Sequence, residues 1–413
     1  MSHDTTIATT AFDSDESPWP VGTDSFFQPR RAAFWLLSAL IVNGLFYTVQ
    51  MFSMGFRVVP ITAFLGLVVW GLYTLAFLLV FRTLDLLEQH PPEAFVLAFA
   101  WGGMGAVYFA APANIAIQSL CAKLISPEFV AAWGAAVAGP ITEEFLKLAG
   151  VVLLVLVARN QFQTYLSVLI VGAMAGLGFQ VVENLTYTVN ASMRFPLENQ
   201  VYPVLLNLLT RGLMSGLWSH AAYTAIASFG VAWFLLHPER RLVTRIGAAV
   251  LCFVLAWAMH FVWNSPLLED YFDGGYGQMA LLLLVKGIPV LIAAWLFWRE
   301  AARENGAYLH ALAAYFVPER ELIRDDEWVR LGQPLARWRV RREMGRGLRR
   351  QGAAPQDAAA ARAAATDPAR GHLWARAADA GERAGGAADP GGARAVDTGA
   401  ARRYSRRVNT IER

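Results

Sequence analysis

Between residues 32 and 298 the chain alternates long apolar runs with short polar connections. Eight runs stand out: 32–54, 58–81, 94–119, 128–157, 165–190, 210–236, 245–264 and 277–298. About 20 apolar residues in a helix cross the hydrocarbon core of a bilayer, so each run predicts one span. Backbone groups in lipid must be paired internally, and strand-like alternation is absent, which leaves helices. The predicted fold is all-α, a polytopic membrane helix bundle of about eight transmembrane helices over residues 32–298. The runs 94–119 and 128–157 exceed what a perpendicular crossing needs, which predicts tilt or a break.

Hydrophobic residues make up 56% of the chain, but its two ends depart from that pattern. Residues 1–31 are an acidic tail (Asp4, Asp13, Asp15, Glu16, Asp24), and the apolar run behind it is too long for a cleavable signal. Residues 299–350 form an amphipathic basic segment, in which Arg337-Trp338-Arg339-Val340-Arg341-Arg342 suits anionic lipid headgroups. Residues 351–413 are Ala-, Gly- and Arg-rich with few large apolar side chains, a composition that predicts disorder.

Lys and Arg in short loops set orientation. Arg30, Arg31, Arg82, Arg159, Arg240, Arg241 and Arg245 flank one side, against Arg57, Lys123 and Arg194 on the other, where loop 265–276 is acidic. Both termini are therefore expected in the cytoplasm. Heavy use of Arg and Ala with three lysines hints at a high-GC bacterium, whose cytoplasmic (inner) membrane is the expected location. Cys121 and Cys252 give neither a disulfide framework nor a metal pattern, and nothing in the chain points to a nucleic-acid partner.

A charge at the centre of a membrane helix costs about 2.5–3.5 kcal/mol, so polar residues inside spans mark function by default. Four groups occur in four consecutive spans: Glu143-Glu144-Phe145-Leu146-Lys147, Glu183-Asn184-Leu185-Thr186-Tyr187, His220 with Thr224, and His260 with Asn264. Their first residues lie 40, 37 and 40 positions apart, one crossing plus a loop each time. Gly139-Pro140 removes a helix hydrogen bond, so the helix is expected to kink or restart there. A restart would put Glu143 and Glu144 in a first turn, at the positive end of the helix dipole. The two glutamates sit about 100° apart around a helix and so cannot do the same job. Lys147 is within reach of either, four residues from one and three from the other.

Glu183 suits a metal ligand, a proton carrier or a brace between helices. His220 and His260 suit a transition metal, proton transfer or oxyanion donation, and Asn264 suits an oxyanion. On one continuous helix Arg211 would face away from His220, nine residues on. Lys286 stands alone in the last span as a counter-charge. No His-Glu-x-x-His is present, Gly212-Leu213-Met214-Ser215-Gly216 misses Gly-x-Ser-x-Gly, and no aspartate pair lies within the spans.

In order along the chain, Glu143-Glu144-x-x-Lys147, Glu183-Asn184-x-x-Tyr187, His220-x-x-x-Thr224 and His260-x-x-x-Asn264 resemble the PrsW family of intramembrane proteases, relatives of the CAAX prenyl proteases. The likeness covers about residues 128–265, and the apolar context extends it over most of 32–298. It implies cleavage of a single-pass membrane protein, typified by an anti-sigma factor, near the outer membrane face.

The site residues would be Glu143, Glu144, Lys147, Glu183, His220, His260 and Asn264. Glu143 would be the base, although the offset leaves Glu144 open for that role. Glu144, Glu183, His220 and His260 would be the ligands of a Zn2+ ion. A metal-free glutamate mechanism is the alternative chemistry. Two other readings stand beside it: an ion- or proton-coupled transporter, and a non-catalytic membrane scaffold of the same fold. A transporter predicts matching broken helices in the two halves, and only one Gly-Pro break is found.

Overall fold

A computed structural model describes residues 25–84, 92–194, 198–268, 275–316 and 325–333, with positions 336 and 339. The acidic residues of the N-tail, most of the 337–342 basic motif and the 351–413 tail lie outside the described residues. Every described element is a helix. α1 spans Ala32–Val58, α2 Pro60–Leu84, α3 Pro92–Ala100 and α4 Val107–Leu124, with a π-helical turn (Trp101–Ala106) joining the last two. α5 covers Pro127–Val157 and α6 Tyr165–Ser192. α7 (Tyr202–Asn207) runs into a second π-helical stretch (Leu208–Met214) and a 3-10 turn (Gly216–Trp218) before α8 (His220–Leu236). α9 (Leu242–Asn264), α10 (Tyr276–Phe316) and α11 (Asp325–Leu331) follow.

Among the described residues, seven helices are long and apolar enough to cross a membrane, taking α3–α4 and α7–α8 as one span each. The eighth expected crossing is α5, whose 31 residues have the length but carry Glu143, Glu144 and Lys147 at their middle. The protein is a multi-pass membrane helix bundle.

α6 is its hub, packed against α2, α3 and α8. Thr164 and Ser167 cap its start reciprocally, each side chain accepting from the other's backbone N–H. Small residues then let other backbones in. A Cβ at Gly176 would lie 2.3 Å from His220 O, so α6 touches the start of α8 backbone to backbone. α5 is pinned by the π-helical turn: Trp101 Nε1 donates to Leu146 O at 2.9 Å, and its ring fills the space above Gly150.

Two expectations need correction, and a third gains detail. α5 runs unbroken through Pro140, so Glu143 and Glu144 lie mid-helix and not in the first turn of a restarted one. The span predicted as 210–236 begins at Tyr202 and is interrupted just before His220. α10 continues to Phe316, so the segment expected to begin at residue 299 starts as an extension of the last span.

Candidate active site

Glu144 is fully buried, and its Oε1 accepts from Lys147 Nζ at 2.6 Å and from His260 Nδ1 at 2.8 Å. Glu143, a third of a turn away on α5, faces a cavity. Its Oε1 accepts from Asn114 Nδ2 at 3.0 Å, while its Oε2 is buried without a hydrogen-bond partner. That free oxygen lies 3.8 Å from His220 Nδ1, 4.0 Å from His260 Nε2 and 4.0 Å from Lys147 Nζ.

The two imidazoles are each backed by a carboxylate. His260 Nδ1 donates to Glu144, which leaves the Nε2 lone pair facing Glu143 and accepting from Asn264 Nδ2 at 3.1 Å. At His220, Nε2 lies 3.0 Å from Glu183 Oε2 and Nδ1 lies 2.9 Å from Lys147 Nζ. An ammonium only donates, so Nδ1 accepts from Lys147 and Nε2 carries the proton given to Glu183. Both rings thus carry their lone pair on the nitrogen nearer Glu143, shared with Lys147 at His220 and with Asn264 at His260, and turn a proton toward a second glutamate. They stand edge to face with centroids 5.0 Å apart, and the Tyr223 ring stacks on His260 at 5.1 Å.

Arg211 completes the surround. Its Nη2 donates to Glu183 Oε2 at 2.7 Å, its Nε donates to Asn184 Oδ1 at 2.9 Å, and its guanidinium lies over the Tyr187 ring. Sequence spacing had put Arg211 on the far face, but the irregular stretch between residues 208 and 219 resets the helix register. Asn114 was missed as well; an amide within the apolar run of α4 was its visible signal. Thr224 does not join the site. It is buried where α8 meets Gly172 of α6, with its hydroxyl unpartnered.

The cavity measures about 140 Å³ and is bounded by side chains from α4, α5, α6, α8 and α9. Gln118, Ala135, Tyr187 and Trp263 place it toward the end of the bundle that carries the α4–α5, α6–α7 and α9–α10 connections. Three carboxylates (Glu143, Glu144, Glu183) meet two fixed cations (Lys147, Arg211) here, which leaves one negative charge uncompensated when both imidazoles are neutral.

The donor set fits a divalent metal. Ligand atoms of Glu143, His220 and His260 lie within 4.8 Å of one another. Three protein ligands with an open position is the usual form of a catalytic zinc site, and a hydrogen-bonded carboxylate behind each histidine is its usual support. At His220 a cation would replace the hydrogen bond from Lys147. The converging donor atoms include Glu143, whereas Glu144 and Glu183 were the carboxylates expected as ligands. Those two carboxylates instead bond the far nitrogens of the histidines.

Residues 90–295 match the family described as PrsW family intramembrane metalloprotease. No curated protein and no solved structure matches the chain.

Proposed function

The chain belongs to the PrsW family of intramembrane metalloproteases, and from that premise we propose that it cuts single-pass membrane proteins near the outer face of the bacterial cytoplasmic membrane. An anti-sigma factor is the type of substrate this reading implies. The observation that carries it is the free Oε2 of Glu143, faced at 3.8 and 4.0 Å by two histidine nitrogens at the edge of a cavity. The distribution of Arg and Lys supports assigning the cavity end of the bundle to the outer side.

Glu143 takes a proton from the attacking water, the hydroxyl adds to the scissile carbonyl carbon, and the proton passes to the departing amine nitrogen. Asn264 Nδ2 turns from His260 to the oxyanion that forms. Glu144, held by Lys147, and Glu183, held by Arg211, keep the two histidines oriented. In the metal-bound alternative Glu143, His220 and His260 would hold a divalent cation, Glu143 then serving as ligand rather than base, with zinc best matched to this donor set. Bound there, it supplies Lewis-acid polarisation and a water with a pKa of about 7.

The lipid side offers an approach for the substrate. An apolar groove of about 660 Å³ runs between α4, α5 and α9, lined by Phe109, Phe145 and Trp257 among others. Its wall residue Thr142 donates to Asn114, which donates in turn to Glu143. A substrate helix in that groove would be one layer of side chains from the base.

The test compares new N-termini of membrane proteins in cells carrying the wild-type chain or Glu143→Gln at equal membrane levels. Loss of outer-side juxtamembrane cleavage in a short list of single-pass proteins is the expected result. Indistinguishable cleavage maps, at rest and under envelope stress, would overturn the proteolytic reading. A purified sample that stays active after chelation would keep proteolysis and remove the metal.

A further inference from the structure

The last span carries a cation that the chemistry above leaves unused. Lys286 of α10 is buried, and its Nζ donates to Ser265 O at 2.6 Å and to Trp263 O at 3.4 Å. A lysine inside a membrane is costly and usually has a specific task. Both carbonyls lie at the C-terminal end of α9, where a helix leaves C=O groups without intrahelical partners and its dipole favours a positive charge. His260 and Asn264 stand in the last turns of α9.

The next residue reaches the turn that precedes the other histidine. A Cβ at Gly287 would lie 2.4 Å from Trp218 Cε2, so the α10 backbone is pressed against the indole. Trp218 closes the 3-10 turn that ends two residues before His220. Val290 and Ala293, on the Lys286 face of α10, share one buried cluster with Trp218, Tyr223 and Ala256. Tyr223 is the residue stacked on His260.

We propose that Lys286 and Gly287 are positioning residues that set the two imidazoles against each other. Lys286 fixes the end of α9 that carries His260, and Gly287 seats the turn that delivers His220. Their effect on cleavage rests on the proteolytic reading; their grip on α8 and α9 does not.

The experiment uses the purified full-length protein in nanodiscs and compares wild type, Lys286→Met and Lys286→Arg. Methionine nearly keeps the side-chain length and removes a charge from the membrane interior, so insertion is not penalised. In Lys286→Met, amide hydrogen exchange over the last turn of α9 should quicken at least about tenfold, because the charge-assisted hydrogen bonds to Ser265 O and Trp263 O are lost. Its kcat for a substrate found as above should fall about 100-fold at unchanged KM, and Lys286→Arg should recover most of the loss.

Gly287→Ala, which presses on Trp218, should lower kcat about 10- to 100-fold. Unchanged exchange in that turn, or faster exchange with kcat intact, overturns the role given to Lys286; full kcat in Gly287→Ala overturns that given to Gly287. Faster exchange in a protein whose wild type cleaves nothing sustains the tie to α9 and sinks the proteolytic reading instead.

Discussion

α6 brings Glu183 to the site and α9 brings His260, and the two helices are held in opposite ways. In α6, 83% of the apolar span is buried, against 17% in α9. Glu183 therefore inherits its place from a helix gripped on most sides, where small residues let α3 and α8 approach backbone to backbone. α9 turns Val250, Leu251 and Val254 outward, and its His260 depends on a few specific contacts. These are the hydrogen bonds with Glu144 and Asn264 and the stacked ring of Tyr223. Dense packing spreads the cost of ordering over many weak contacts. A peripheral helix gathers it into a few strong ones. The central helix should then be sensitive to volume and the peripheral one to polarity.

The largest expected effect lies where the two arrangements meet. Glu143→Gln should lower kcat by about 10²- to 10⁴-fold, the range for a lost general base, with thermal unfolding in detergent nearly unchanged. Glu144→Gln should cost about 10- to 100-fold in activity or metal affinity, because a neutral amide is a weaker acceptor for His260 and gives up the charge paired with Lys147. A full-activity Glu144→Gln protein would show that polar contacts do not hold α9.

On α6 the sensitive change is steric. Gly176→Val should destabilise by about 1–3 kcal/mol in thermal or denaturant unfolding, since its Cβ would meet His220 O at 2.3 Å. The smallest effect belongs to the lipid face of α9: Leu251→Ala should shift stability by no more than about 0.5 kcal/mol and leave kcat alone. A large loss there would mean that α9 has a protein neighbour along that face.

Much of this was legible in the sequence, for physical reasons. Span length and apolarity are read residue by residue, so the helical bundle emerged from pattern alone. Charges are expensive in lipid, so the four motifs pointed to the residues that converge around the cavity. Which group bonds which was not legible. Asn114 and Glu143 lie on different helices, and no spacing rule links them. Arg211 was misplaced because a nine-residue offset has meaning only on an unbroken helix, and irregular backbone intervenes. Pro140 pointed to a break, yet the helix tolerates it; the Thr142 hydroxyl bonds back to Ala138 O and Gly139 O beside it. The glutamates were visible as a set, but their division into one free carboxylate and two histidine partners needed the third dimension.

The central claim is that both histidines keep the nitrogen nearer Glu143 unprotonated because Glu144 and Glu183 hold their other nitrogens. Solid-state ¹⁵N NMR of histidine-labelled, metal-stripped protein in lipid measures this directly, with the two signals assigned by single substitutions. The expected result is opposite neutral tautomers: the proton on Nδ1 of His260 and on Nε2 of His220. A proton on Nε2 of His260, or two doubly protonated rings, would contradict it and leave Glu143 without the paired acceptors on which the proposed site depends.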